Sequence, residues 1–345
     1  MIHRAPDDRR NAPVGTMTRH SAPDAISRRS ALGAMLGAGA LAAAPNAALA
    51  LPRPRVVATT GMIADLARRI GGNRIEVQGL MGPGIDPHSY RQTRSDVAAL
   101  ARADLVLWHG LYLEAQMEEL LLDLGRKRNV VAVADTLPKE LLHTKGDGSS
   151  HFDPHVWMSP RLWAGAIEPV RNALSTLDPS GAATFAMNAN GLRAEFERLA
   201  IYADTMLGSV PETSRLLVTA HDAFGYFGAA FAFEVEGIQG MSTESEAGLA
   251  RIESLVNLLV QRKVGAVFVE SSVPPRNVRA LIEGAAAQGH DVIIGGELFS
   301  DAMGPDGTYE GTYIGMLDHN ITLISRALGG AAPARGMRGQ LSVAS

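Results

Sequence analysis

The 345-residue sequence contains no cysteine. Disulfides, thiolate zinc sites, cysteine nucleophiles and acylated cysteine anchors are excluded on that ground. Aromatic residues are scarce at 5%, too few to line a wide stacking cleft for a metal chelate such as haem. Positive charge is not in excess either. A net charge of −4 argues against an electrostatic nucleic-acid binder. What is present is 46% apolar and 20% charged residues, enough to bury a real core. The length suggests two domains of about 150 residues each. Any chemistry must come from histidines, carboxylates and hydroxyls.

The first fifty residues have the three parts of a secretory signal. Arg4, Arg9, Arg10, Arg19, Arg28 and Arg29 against Asp7, Asp8 and Asp24 give a basic start of +3. Residues 31–44 then run fourteen positions without a charge, Pro45-Asn46 interrupt them, and Ala48-Leu49-Ala50 offers small residues for a peptidase. That run falls short of the ~20 residues a membrane-spanning helix needs. Ser27-Arg28-Arg29-Ser30-Ala31-Leu32 directly before it marks the twin-arginine type, and Met17 can serve as the start. Cleavage near Ala50 leaves 26 basic and 33 acidic side chains, a net charge of −7. The expectation is an exported, acidic protein.

From Val56 onward short β-branched stretches alternate with amphipathic ones. Strands are expected at residues 55–60, 75–80, 105–108 and 130–133, and again at 216–219, 266–269 and 292–294. Helical patterns lie between them, and the last covers about residues 312–328. Strands spaced by helices imply parallel sheets with right-handed crossovers. The fold class is therefore α/β, with two Rossmann-like lobes at residues 51–179 and 208–330. Residues 180–207 carry one long helical stripe of Leu192, Phe196, Leu199, Ala203 and Met206. At 1.5 Å per residue this is a rod of roughly 40 Å joining the lobes. The Gly/Ala/Pro-rich residues 331–345 are expected to be a disordered tail.

Three histidines sit beyond strand ends or in loops, where open α/β sheets bind ligands. They are His88 in Asp86-Pro87-His88-Ser89-Tyr90, His155 in Asp153-Pro154-His155-Val156-Trp157, and His221 in Thr219-Ala220-His221-Asp222-Ala223-Phe224. Asp301, in Phe299-Ser300-Asp301-Ala302-Met303, also follows a strand. Two candidates per lobe at the crevice would make a metal site closed by both lobes. Read singly, a loop histidine is a surface or capping residue and Asp301 a helix cap. No pair has the close spacing of H-E-x-x-H, so local spacing alone leaves the alternatives open.

Taken together, these segments resemble the TroA-like family of metal-binding receptors of zinc and manganese ABC transporters. Ser242-Thr243-Glu244-Ser245-Glu246, Glu270-Ser271-Ser272-Val273-Pro274-Pro275 and Gly295-Gly296-Glu297-Leu298 extend the resemblance in family order over residues 53–330. It implies a His3-Asp site of His88, His155, His221 and Asp301, carrying Zn2+ or Mn2+ as cargo. It also implies an inner-membrane ABC permease as partner and a monomeric receptor that is not an enzyme. Imidazoles suit zinc and a carboxylate also serves manganese, and a filled four-ligand site is a carrier's arrangement. Residues 138–154 hold only His143 and His151, so the long His-rich loop of many zinc-dedicated receptors is absent. Zinc and manganese therefore both stay open.

Around the four, Asp153 and Glu244 are expected to orient ligand imidazoles. His109 is expected beside the site, while His143, His151, His290 and His319 read as surface or helix residues. Glu270 beside Ser271-Ser272 mimics a catalytic pair, but nothing supplies a base. A zinc hydrolase would need an open coordination position and a carboxylate base, and is the alternative enzyme reading. A receptor for a metal chelate is the other alternative. Without an acylated cysteine the protein is expected to diffuse freely in a periplasm and not to be a lipoprotein. Three ordinary imidazoles predict a fall in metal affinity below about pH 6 with a limiting slope of three.

Overall fold

A computed structural model describes residues 52–144 and 151–342. The signal expected at residues 1–50 lies outside them. Among the described residues no helix is long and apolar enough to cross a membrane.

The first sheet is built from β1 (Arg55–Ala58), β2 (Glu76–Gly79), β3 (Leu105–Trp108) and β4 (Val130–Ala132), all parallel in the order β2-β1-β3-β4. Its connections carry α1 (Gly61–Gly71), α2 (Arg94–Arg102) and α3 (Glu118–Gly125). β3 is buried at every position, as its unbroken apolar run requires of a strand covered on both faces. The Thr93 hydroxyl accepts from Asp96 N and the Asp96 carboxylate accepts from Thr93 N, a capping box that starts α2. Strand order reverses between β1 and β3, so a crevice opens at their carboxyl ends.

After α4 (Pro160–Trp163) and α5 (Ile167–Leu177) comes α6 (Ala182–Gly208), a 27-residue rod. The second half holds β5 (Leu216–His221) and β6 (Glu234–Gln239) as one parallel pair, with α7 (Gly225–Phe231) between them. Past α8 (Leu249–Arg262), β7 (Ala266–Glu270) and β8 (Ile293–Leu298) make a second parallel pair around α9 (Arg276–Ala287), and β7 packs beside β5. α10 (Tyr313–Ala327) starts at Thr312, whose hydroxyl accepts from Gly315 N. β6 was not expected from sequence. Its Glu-Val-Glu-Gly-Ile-Gln run carries two charges and a glycine, which hide the period of two.

α6 does more than connect. Leu192, Phe196, Leu199 and Ala203 are buried as the stripe predicts, while Met206 is partly exposed. The rod packs on α1, α5 and α10. One apolar cluster accordingly runs from Val56 and Leu107 through Phe196 and Leu199 to Phe268 and Ile321. Moving the halves apart would open that cluster at about 25 cal/mol for each Å² exposed. Small-angle scattering profiles with and without metal are therefore expected to superimpose. A clear rise in radius of gyration on metal removal would contradict the shared core.

The expectation of a disordered tail fails for residues 331–342. Met337 N donates to both carboxylate oxygens of buried Asp318, at 2.9 and 3.0 Å, and Ser342 N donates to Glu310 Oε1 at 2.7 Å. Leu341 and Ala332 are buried, and Arg338 pairs with Glu195 of α6. Composition misled here because the segment is ordered by partners on α10 and α6 rather than by its own pattern.

Candidate metal centre

The site is assembled at the carboxyl ends of β5, β7 and β8 and from two loops of the first half. His221 is the last residue of β5 and Glu270 the last of β7, while Asp301 follows β8 by three positions. His88 comes from the β2–α2 connection, and His155 directly precedes the 3-10 turn Val156–Met158 that leads into α4. The structure brings together all four residues that the sequence singled out. They are buried, and one donor atom from each lies within 4.8 Å of every other.

The spacing has chemical content. His155 Nε2 is 3.2 Å from His88 Nε2 and 3.3 Å from His221 Nε2. Asp301 Oδ1 lies 3.4 Å from His155 Nε2, and Asp301 Oδ2 lies 3.2 Å from His221 Nε2. Separations of 3.2–3.4 Å suit neighbouring donors on one ion with bonds of about 2.0 Å, the zinc–imidazole length, although the four donors as a set spread over up to 4.8 Å. The Asp301 carboxylate sits astride two imidazoles, so it can offer one oxygen or both. Its Oδ1 has no hydrogen-bond donor although it is buried. A buried carboxylate oxygen left in that state calls for a cation.

Two of the three imidazoles are locked from behind. His155 Nδ1 donates to Asp153 Oδ1 at 2.7 Å, and the same oxygen accepts from His155 N at 3.0 Å. His221 Nδ1 donates to Glu270 Oε2 at 2.5 Å, with Glu270 Oε1 accepting from His221 N at 2.9 Å. These contacts fix Nε2 as the inward atom of each ring and raise its donor strength. Asp153 does what the sequence suggested. Glu270, read as an idle neighbour of two serines, is the second orienting carboxylate.

Electrostatics separate the histidines. Burial lowers the His155 pKa, but Asp153 and Asp301 overcome it and hold the ring up at about 9. His221 is likewise lowered by burial yet raised well above its ordinary value by Asp301 and Glu270. Burial dominates at His88 and, with the other two rings, brings it down to about 4 against the pull of Asp301. Burial would raise Asp301, but the adjacent imidazoles keep it well below the carboxylate range.

A left-handed turn supports the site from β3. Gly110, Leu111 and Tyr112 have φ values of 86°, 51° and 65°. Left-handed backbone costs a non-glycine residue roughly 1–2 kcal/mol, so something must hold it. Glu114 accepts from His109 N and Gly110 N, and Asp135 accepts from Leu111 N. At Gly110 a Cβ would strike the Asp135 carboxylate. Burial lifts the Glu114 carboxyl to about 7 even though Thr59 and the turn amides donate to it.

The remaining candidates fall outside the four. His109 Nε2 donates to Pro154 O at 2.7 Å, its ring lies between Trp157 and Trp163, and burial brings its pKa down to about 3. It thus neighbours the centre by bracing the turn that carries His155. His143 stacks on Tyr226 and His151 on Tyr112. His290 and His319 bond to the carbonyls of Val264 and Glu297. Glu244, expected to orient an imidazole, instead accepts from Gln116 Nε2 at 2.6 Å. The sequence missed Glu270, Glu114 and Asp86 as supports, because a lone carboxylate in a loop carries no local signature of its partner.

An α/β frame with three imidazoles and one carboxylate closed between two sheets is the arrangement of a metal-binding solute receptor rather than a catalyst. A family model described as ZnuA, zinc-uptake complex component A, periplasmic, matches residues 56–327, and the chain belongs to this family of transporter receptors. The chain is 46% identical over 274 residues to the manganese-binding lipoprotein MntA of Bacillus subtilis, covering 79% of this chain and 89% of that protein. It is 46% identical over 276 residues to the zinc-binding protein TroA of Treponema pallidum, covering 80% and 89%. The solved structure of periplasmic TroA from Treponema pallidum matches with a TM-score of 0.78 at 46% identity, over 80% of this chain and 99% of that one. The family consists of receptors, not enzymes, and the hydrolase alternative falls with that.

One expectation is overturned. MntA is named a lipoprotein, and so is the manganese receptor PsaA of Streptococcus pneumoniae, 28% identical over 79% of this chain and 89% of that protein. The inference from missing cysteine to a freely diffusing protein that is not a lipoprotein is therefore withdrawn. A missing thiol excludes acylation of a cysteine within this sequence and says nothing more about how a receptor is kept near its membrane.

Proposed function

We propose that His88, His155 and His221, through Nε2, and Asp301, through its carboxylate, hold one Zn2+ or Mn2+ ion as cargo. The receptor then passes that ion, as a monomer, to an ABC permease in the membrane. In this reading residues 51–179 and 208–330 each supply two donors and residues 180–207 hold the two lobes in register. The observation that carries it is the convergence of four buried donors within 4.8 Å of one another, with one carboxylate oxygen left without a hydrogen-bond donor. Imidazole-rich sites favour zinc over manganese in raw affinity, so tight zinc binding in a test tube does not by itself name the cargo.

The test is stoichiometric. Apoprotein exposed to excess Zn2+ or Mn2+ and then gel-filtered should retain one equivalent by elemental analysis. Retention of none would overturn the reading, and two or more would show that a further site competes. Growth of a deletion strain in zinc-depleted and in manganese-depleted medium then separates the two cargoes.

A further inference from the structure

The four donors are not held alike, and this inference rests on the metal-receptor reading above. His155 and His221 each have a carboxylate locking Nδ1, and both are fully buried. His88 has no carboxylate at Nδ1 among the described residues, and of the four it alone lines an open cleft, beside Tyr112, His151 and Met241. Its loop is held through Asp86. Asp86 Oδ1 accepts from His88 N at 2.9 Å, and Asp86 Oδ2 accepts from Ser89 Oγ at 2.7 Å. The same Oδ2 accepts from Thr243 Oγ1 at 2.6 Å, across 157 residues of sequence. Thr243 belongs to the loop after β6, in the other half of the molecule, and its neighbour Glu244 meets Gln116 across the same cleft.

We propose that Asp86 and Thr243 form a latch that sets the rate at which metal leaves, with His88 the first donor to let go. While the hydroxyl holds Asp86, the turn that presents His88 is tied to both halves. Once it lets go, the Asp86–Ser89 turn can swing into the cleft without disturbing His155, His221 or α6. Asp86 and Thr243 are positioning residues, since neither contributes a donor to the four. The halves need not separate for the ion to escape, in keeping with the continuous core along α6.

Thr243→Val keeps the shape of the side chain and removes the donor, while Thr243→Ser keeps the donor. A zinc-loaded protein is mixed with excess chromophoric chelator, and the off-rate is read by stopped flow, with the on-rate measured separately. Loss of a hydrogen bond to a charged group predicts an off-rate about tenfold or more higher for T243V, an on-rate within about twofold of wild type and near-normal rates for T243S. Circular dichroism should show apo T243V folded as the wild type is, and a raised off-rate with an unchanged on-rate sets the latch apart from a merely structural contact. An off-rate for T243V within about twofold of wild type, or a T243S variant as fast as T243V, overturns the latch. A wild-type protein that retains no metal would instead remove the receptor reading, so the two failures are distinguishable.

Discussion

Alanine at His155, His221 or Asp301 should weaken zinc binding by more than about a hundredfold each, because loss of a mere supporting partner already costs about 10–100-fold. Beyond the lost donor, His155→Ala strands the Asp153 carboxylate and His221→Ala strands Glu270, both of them buried. Alanine at His88 should cost least, since no carboxylate locks that ring from behind. Glu270→Gln should fall between, at about tenfold or more, by freeing the His221 ring to rotate. Competition against a chromophoric chelator measures all five proteins on one scale, with circular dichroism to show that each apoprotein is folded. If two of the four alanine variants bind zinc like wild type, the coordination sphere assigned here is wrong.

Protons should compete for the site at neutral pH, and not only in acid. A group whose pKa is raised in the metal-free protein must lose its proton before it binds metal. His155 at about 9 therefore releases a proton on binding metal near neutrality, and His221, raised well above its ordinary value, adds to that release. His88 at about 4 is already neutral and releases none until the pH falls near that value. The slope of log affinity against pH should thus be at least about one between roughly pH 6 and 8, and approach three only near pH 4. Three unperturbed imidazoles would give almost no slope above about pH 7.5. Calorimetry at pH 7.5 in buffers of different ionisation enthalpy should report at least about one proton released per zinc ion. Release of none would show that Asp153 and Glu270 leave the rings unprotonated.

The same carboxylates raise the apoprotein's stability below the usual imidazole range, and that contribution fades as pH rises through the shifted values. Metal and protons therefore stabilise the same residues by turns.

The strands of the first half and the length of α6 were legible because each is a local pattern: an unbroken apolar run for β3, a spacing of 4, 3, 4 and 3 for Leu192 to Met206. His88, His155, His221 and Asp301 were legible only jointly. Each alone is an ordinary loop residue, and what marks them is placement beyond strand ends in a family-like order. What could not be read were relations between distant residues. Glu270 reaches His221 over 49 positions and Thr243 reaches Asp86 over 157, and no window of sequence contains either pair. β6 was hidden by its charges, and the docking of residues 331–342 by partners on other elements. The proton release expected near neutrality, where unperturbed histidines would give almost none, comes from Asp153, Asp301 and Glu270, which lie within the quoted segments although nothing local shows which ring each one faces.

The spread of the site along the chain decides when the molecule can begin to bind an ion. Donors come from positions 88 to 301, Tyr313 N reaches back 248 residues to Asp65, and Asp318 takes two of its hydrogen bonds from Met337 N. Contact order of this kind slows folding, because long chain loops must close before their contacts reward the closure. No fragment that stops before residue 301 contains all four donors, and one that stops before residue 337 leaves Asp318 with Tyr309 and Thr322 but without the Met337 amide. A nascent chain that ends before residue 301 therefore offers metal ions separate imidazoles in place of a four-donor site.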